Sequence, residues 1–364
     1  MSGAGLGATQ NDLRPGFVEL AWGEPDPALL PVEAVRRAAA AALASAGPAA
    51  LAYGSAAGPA VLRSALAEHI AAREGVPIDA ADIVVTAGNS QALDQALTVF
   101  AAPGDVVFVE SPTYNLALSI MRDHPLEVVG VPHDAGGLDV AALATAVAER
   151  RGAGRRPRLL YTIPTFHNPT GASLTGERRA ALVALARREE LVVIEDDAYR
   201  GLAYDGDAPP ALWTLDAEAP VVRLGTLSKS LAPGLRVGWL TGRADLRERF
   251  VGAGVIESGG CPSQFAAAVA GELLAGGDHE SHVARLRVAY RSRRDALAGA
   301  LREHLPPRCS FDLPAGGYFI WVKLPPDLTA SGLSPYAERH GVSFIPGARF
   351  STSGEDGYVR LAFS

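Results

Sequence analysis

The chain has 364 residues, more than one hydrophobic core usually organises, so a large domain with a smaller second one is expected. Apolar residues make up 48% and charged residues 20%, the balance of an ordinary soluble globular protein. A net charge of −7 without a basic tract argues against nucleic acid or an anionic membrane as the main partner. Two cysteines, Cys261 and Cys309, form neither a disulfide framework nor a metal-ligand cluster, which points to a reducing, cytoplasmic setting.

The first stretch, "MSGAGLGATQNDLRPG", is small and polar and lacks the charged and apolar regions of a signal peptide. Residues 1–15 are expected to be a flexible tail, and 16–31 an N-terminal segment of the smaller domain. "VEAVRRAAAAALASA" (32–46) and "LRSALAEHIAARE" (62–74) read as helices. Seven β-rich runs then alternate with helical patterns: 83–88, 106–111, 126–132, 158–164, 191–197, 221–228 and 236–242. Continuous apolar strands between amphipathic helices predict an α/β fold, a mostly parallel seven-stranded sheet covered on both faces. That large domain is expected over 32–280. A long helix, 281–305, leads into "GGYFIWVKLP", a helix near "SPYAERHG", "VSFIPGARF" and "GYVRLAFS", which read as a smaller α+β domain over 281–364. No apolar run approaches the ~18 residues of a membrane span.

Ligands of parallel α/β sheets bind beyond the carboxyl ends of the strands, so those ends are where chemistry is expected. The first run is followed by a Gly-Asn-Ser turn opening a helix, "TAGNSQALDQAL". Asn89 and Ser90 there suit an anion site as well as plain helix capping. Tyr114 in "ESPTYNLAL" suits either stacking on a planar ligand or core packing. "PTFHNPTG" places Asn168 at a strand tip. "EDDAY" turns an apolar strand acidic at its end, so at least one of these acids must be buried and paired. Asp196 and Tyr199 are the candidates. In "GTLSKSLAPGLR", Lys229 sits at a strand end where desolvation makes an amine nucleophilic, with Thr226, Ser228 and Arg236 near it. Arg236 offers a planar fork for phosphate. A planar ring, a phosphate, a ring nitrogen, a phenolic oxygen and an aldehyde would satisfy all these groups together, and pyridoxal phosphate (PLP) is such a ligand.

With these motifs the sequence resembles the class I/II aminotransferases of PLP fold type I. It is most similar to the branch of 2-aminoadipate aminotransferases and the aminotransferase-like domains of MocR regulators. The matching segments, "GEPDPALLP", "LAYGSAAGPAVLRSAL", "TAGNSQALD", "ESPTYNLAL", "PTFHNPTG", "EDDAY", "GTLSKSLAPGLRVGW", "YRSRRDAL", "GGYFIWV" and "VRLAFS", run from about residue 20 to the end. The resemblance implies that Lys229 carries the cofactor's aldehyde covalently and later shuttles a proton. Asp196 is implied to pair with the ring nitrogen, Asn168 and Tyr199 to hydrogen-bond the ring oxygen, and Tyr114 to stack on the ring. Asn89, Ser90, Ser228 and Arg236, with Thr226, are implied to grip the phosphate. Tyr53 is implied to reach the phosphate of a neighbouring subunit, which makes the enzyme a homodimer with shared sites. Arg360 is implied to clamp the substrate α-carboxylate, near Asn168, Gly23 and Trp22. Amino-group transfer from an L-amino acid to a 2-oxo acid, 2-oxoglutarate foremost, by ping-pong kinetics is the leading expectation.

Elimination, replacement, cyclisation or decarboxylation of an amino acid on the same residues stays open, because the motifs do not separate these outcomes. A regulator's effector domain is a distant alternative, since only ~20 residues precede the matching segments and no basic patch is present. Three departures stand out. A terminal helix commonly follows the last strand in the family, whereas this sequence ends at Ser364. Glu24 stands where a smaller or apolar residue is frequent, either to favour a basic substrate side chain or exposed to solvent. His279 and His282 read as a solvated helix start, and no metal site is expected.

Overall fold

The computed structural model describes residues 14–364. The expectation for the first 13 residues lies outside the described residues. The chain enters through a two-residue strand, β1 (Val18–Glu19), and two helices, α1 (Val32–Ala46) and α2 (Ala60–Glu74). Pro31 and Pro59 precede their first turns, and α2 ends on Gly75 in the left-handed region, where a side chain is disfavoured.

The central sheet then forms from β2 (Val84–Thr86), β3 (Val106–Ser111), β4 (Glu127–Asp134), β5 (Gly137–Leu138), β6 (Pro157–Thr162), β7 (Val192–Asp196), β8 (Val221–Thr226) and β9 (Gly238–Gly242). The order across it is β2-β9-β8-β7-β6-β3-β4-β5. Neighbours from β8 to β4 run parallel, while β9 is antiparallel to both β2 and β8. Each of the seven runs read from the sequence supplies a strand. An eighth strand, β5, is added at the edge, and its two residues are too few to show a period.

Strand alternation splits the core. Val107 and Val109 face one side with α3 (Asn89–Phe100), α4 (Asn115–Arg122) and α7 (Ala244–Val251). Val106 and Phe108 face the other with α5 (Val140–Gly152) and α6 (Gly176–Glu189). Both helix layers bury leucines and valines fully, each worth roughly 1.5–3 kcal/mol relative to exposure. The chain continues through α8 (Gly254–Gly259), α9 (Gln264–Ala275) and the 27-residue α10 (Asp278–His304).

Beyond α10 come β10 (Phe319–Lys323), α11 (Ala330–Arg339), β11 (Val342–Ser343), β12 (Ile345–Pro346) and β13 (Tyr358–Ala362). β13 lies between β10 and β12, antiparallel to both, and β1 pairs in parallel with β11. "VSFIPGARF" supplies two short strands, β11 and β12. No helix among the described residues is long and apolar enough to cross a membrane.

Candidate active site

The sheet order brings the carboxyl ends of β8, β7, β6 and β3 side by side, and the turn after β2 reaches the same place. A cleft of about 1150 Å³ opens there, lined by Asn89, Ser90, Tyr114, Asn168, Asp196, Tyr199, Thr226, Ser228, Lys229, Arg236 and Arg360. Trp22, Gly23 and Glu24 close its other side. Every residue that the sequence singled out for the site, Tyr53 excepted, faces this one space. Tyr53 does not line the cleft of its own chain; its side chain is 90% exposed.

Lys229 stands in the loop after β8. Burial pulls its ammonium down to about 8, the charge of Glu24 opposing that shift. Its Nζ donates to the Gly23 carbonyl at 2.8 Å and makes no ion pair among the described residues. Tyr318 fixes the backbone of this residue: its hydroxyl donates to the Lys229 carbonyl at 2.8 Å. Asp196 ends β7 with its carboxyl buried, which pushes it up to about 6. Its two partners are neutral donors: Asn89 Nδ2 at 2.6 Å and Tyr161 Oη at 2.7 Å. The Asn89 carboxamide thus turns to Asp196 instead of toward a phosphate. What this residue offers an anion is its place in the first turn of α3, whose N–H groups lack helical acceptors.

Gly88 precedes that turn at φ 81°, and a Cβ there would lie 2.9 Å from Arg236 Nη2, so only glycine lets the arginine approach. Arg236 itself is bonded through its guanidinium to two carbonyls, Ala87 and Pro233, and to no carboxylate among the described residues. Thr226 Oγ1 donates to Ser228 Oγ at 3.0 Å, aligning the two hydroxyls beside it. Tyr114 caps the start of α4 and its phenol is pushed up to about 12 by burial, then by Asp196.

Arg360, on β13, is buried between Phe319 and Phe350, with its guanidinium carbon 4.2 and 4.8 Å from the ring centres. It donates to Asn168 Oδ1 at 3.0 Å and to the Ala21 carbonyl at 2.5 Å, and its Nε has no partner among the described residues. The His167 ring is buried, with Nε2 3.1 Å from Glu110 and Nδ1 3.0 Å from Thr170 Oγ1. Tyr161, Tyr318, Phe319 and Glu110 escaped the sequence reading because their neighbours are distant in the chain. Only the strand-tip position of Glu110 hinted at them.

All three acids of "EDD" are buried, which meets the expectation of at least one, whereas the reading of His279 and His282 as solvated does not hold. Glu195 accepts from the Leu212 and Trp213 amides, and Asp197 lies between Arg200 and Arg223. His279 and His282 are also buried. His279 Nε2 sits 3.0 Å from Ser230 Oγ behind Lys229, and burial pushes its imidazole down to about 3. The fold also brings His69, distant in the chain, to His279 and its neighbour Glu280.

These unpaired groups fit PLP. A buried carboxylate with only neutral donors calls for a cation, as a protonated ring nitrogen is. Arg236, two hydroxyls and a helix start call for an anion. A buried amine whose ammonium is pulled down to about 8 suits an aldehyde.

Comparison with known proteins agrees. The family model for aminotransferase class I and II matches residues 15–364. Aromatic-amino-acid aminotransferase 1 of Thermococcus litoralis is 35% identical over 334 residues, 92% of this chain and 80% of that protein. The kynurenine aminotransferase of Pyrococcus horikoshii, solved in complex with PMP, superposes with a TM-score of 0.89 at 34% identity, covering 96% of this chain and 86% of that one. The α-aminoadipate aminotransferase of Thermus thermophilus, complexed with N-(5'-phosphopyridoxyl)-L-leucine, gives a TM-score of 0.86 at 34% identity over 96% and 87%. The chain belongs to the class I and II aminotransferases, is of fold type I, and uses pyridoxal phosphate to transfer amino groups.

Proposed function

We propose that this PLP-dependent aminotransferase takes its amino group from an L-amino acid and passes it to a 2-oxo acid, 2-oxoglutarate foremost, by ping-pong exchange. The observation that carries the reading is Arg360, a buried guanidinium with no carboxylate partner among the described residues and a free Nε. A substrate α-carboxylate supplies the missing charge in bidentate form.

When bound, pyridoxal phosphate supplies an aldehyde for the amino group and a ring that accepts the electron pair released at the substrate's α-carbon. Lys229 would hold that aldehyde, and its Nζ, when free, would take the substrate's α-carbon proton as a general base and deliver it as a general acid to the carbon that carried the aldehyde. Asp196 would keep a proton on the ring nitrogen, with Asn89 and Tyr161 keeping Asp196 in place. Asn168 and Tyr199 would bond the ring oxygen, and Tyr114 would lie against the ring. Ser90, Thr226, Ser228, Arg236 and the first turn of α3 would hold the phosphate. Trp22 and Gly23 close over the substrate.

Arg349 lines the open end of the cleft without an ion pair among the described residues, and suits the second carboxylate of 2-oxoglutarate. The exposed Tyr53 supports a homodimer in which it reaches the second copy's phosphate site. Two free thiols, Cys261 and Cys309, accord with a cytoplasmic setting.

The test mixes PLP-loaded protein with single amino acids and 2-oxoglutarate. Glutamate should form, and double-reciprocal plots at several acceptor concentrations should be parallel. Ammonia, carbon dioxide or a cyclic product without glutamate overturns the reading. Sedimentation should give twice the 37.8 kDa chain mass.

A further inference from the structure

The charged groups of the cleft fall into sets already engaged and one that is not. Glu19 and Glu338 both pair with Arg14, at 2.6 and 2.5 Å. Asp196 has its two donors, and Lys229, Arg236 and Arg360 have the roles given above. The acid left over is Glu24. Its carboxylate lines the cleft, half-buried, with no hydrogen bond or ion pair among the described residues.

Its position is tightly fixed. A Cβ at Gly23 would lie 2.5 Å from Phe319 Cζ, so the backbone presses onto β10 with no room to move. The Gly23 carbonyl receives Lys229 Nζ, and the Glu24 carbonyl receives Ser364 Oγ at 2.7 Å. Glu24 therefore directly follows the residue whose carbonyl receives the reacting amine, and Lys229 is the charge that acts on its carboxylate. The same cleft also has apolar lining: Trp22, 37% exposed, Leu116, Phe344 and Ile345. An aliphatic stem with a cationic end fits such surroundings, the methylenes on the apolar wall and the charge at the acid.

We infer that Glu24 selects the amino donor, and that the preferred donor is an α-amino acid whose aliphatic side chain ends in an amine or guanidinium group. The inference rests on the aminotransferase reading. The donor lies with its α-carboxylate on Arg360 and its α-carbon at Lys229. Its side chain passes Trp22, and its terminal cation reaches Glu24. Donors with an anionic end meet Glu24 as a like charge and are disfavoured at this wall.

The experiment follows the donor half-reaction of the PLP-loaded enzyme by the change in cofactor absorbance. Lysine, ornithine and arginine are compared with norleucine, which matches lysine without its terminal amine. In the wild type, kcat/KM for lysine should exceed that for norleucine. In Glu24→Gln, an isosteric change, that ratio should fall about tenfold, the scale of a half-exposed ion pair. Glu24→Lys should move preference toward glutamate. A lysine-to-norleucine ratio that is the same in wild type and Glu24→Gln overturns the inference, as does a variant that slows both donors equally. The absence of any donor half-reaction in the wild type strikes the aminotransferase reading instead, so the two failures are distinguishable. Cofactor absorbance of each variant before donor is added confirms that it is folded and loaded.

Discussion

Asp196 and Asp197 are neighbours in the chain, both sealed from water, and the structure treats them in opposite ways. Asp197 faces the back of the sheet, where Arg200 and Arg223 flank it and share Glu74 on their other side. Those arginines hold its carboxyl below the ordinary range against the cost of burial. Asp196 faces the cleft, where Asn89 and Tyr161 give hydrogen bonds but no charge, and burial wins. The pair separates two uses of a buried charge. Where the protein supplies the counter-ion, the charge holds the fold together. Where it withholds the counter-ion, the charge waits for a ligand. Lys229, Arg236 and Arg360 belong with Asp196 by this criterion.

The strongest way to break the distinction is at Lys229. Lys229→Ala should remove the visible absorbance of the imine and all measurable transamination, while thermal unfolding of the cofactor-free protein stays near that of the wild type. A yellow, active variant sinks the assignment. The same lysine gives a gentler test, since only its neutral amine attacks an aldehyde. With the ammonium pulled down to about 8, the rate at which cofactor-free protein takes up PLP should rise with pH around a midpoint near 8. A midpoint near that of free lysine means that the amine is not desolvated.

Two substitutions compare the kinds of charge directly. Arg360→Ala should lower kcat/KM for amino acids by ~3 kcal/mol, more than a hundredfold, because a charged carboxylate loses its partner. Its effect on the stability of cofactor-free protein should be smaller, since no internal ion pair is broken. Asp197→Asn should do the reverse. It leaves two buried arginines to one glutamate and should cost roughly 3–5 kcal/mol of stability. Calorimetry and steady-state kinetics on both variants decide. If Asp197→Asn melts like wild type, the cluster behind the sheet is not what steadies it.

The pH dependence of the two aspartates should run in opposite directions. The Asp197 carboxyl is lowered on folding, so its contribution is present above the ordinary carboxylate range and is lost as pH falls through the folded value. Asp196 is raised from 3.8 to about 6, so it opposes folding, by about 3 kcal/mol at neutral pH. That penalty disappears as pH falls from above 6 to below 4. Asp196→Asn should accordingly stabilise the cofactor-free protein at pH 7 and change little at pH 4. Urea unfolding at the two pH values measures it, and equal effects at both contradict the burial argument.

Much of this site was readable because the strands end where the chemistry begins. β7 and β8 open on apolar residues, so the polar residues at or just beyond their ends, Asp196 and Lys229, stand out in one dimension. Asn168 was legible for the same reason. The partners that tune them were not. Tyr161 lies inside β6 and looks like core, and its hydroxyl meets Asp196 only because β6 and β7 pair in parallel. His279 looked solvated because its own helix start is polar, and it is buried by residues of α2 and the Lys229 loop. The direction of the Asn89 side chain was misread because a residue at a helix start can bond either outward or across the sheet. A motif fixes that a residue is at the site, but the partner it faces depends on strand pairing.

Tyr161 gives the smallest and most specific test of the comparison. Its hydroxyl is one of two neutral donors to Asp196, and the buried phenol is itself pushed well up, by burial and then by Asp196. Tyr161→Phe keeps the ring and its packing in the core but deletes the donor. One hydrogen bond to a charged acceptor is worth roughly 1.5–3 kcal/mol. The carboxyl of Asp196 should therefore rise further in cofactor-free protein, and the pH at which the loaded site gives up the proton between Asp196 and the ring nitrogen should rise with it. Since the cofactor cation also stabilises Asp196 in the loaded enzyme, the loss in kcat should be well below that of Arg360→Ala, about tenfold. The check is a spectroscopic titration of the loaded variant beside its kcat. If the titration is unmoved while kcat falls, Tyr161 acts through packing, and Asp196 depends on Asn89 alone.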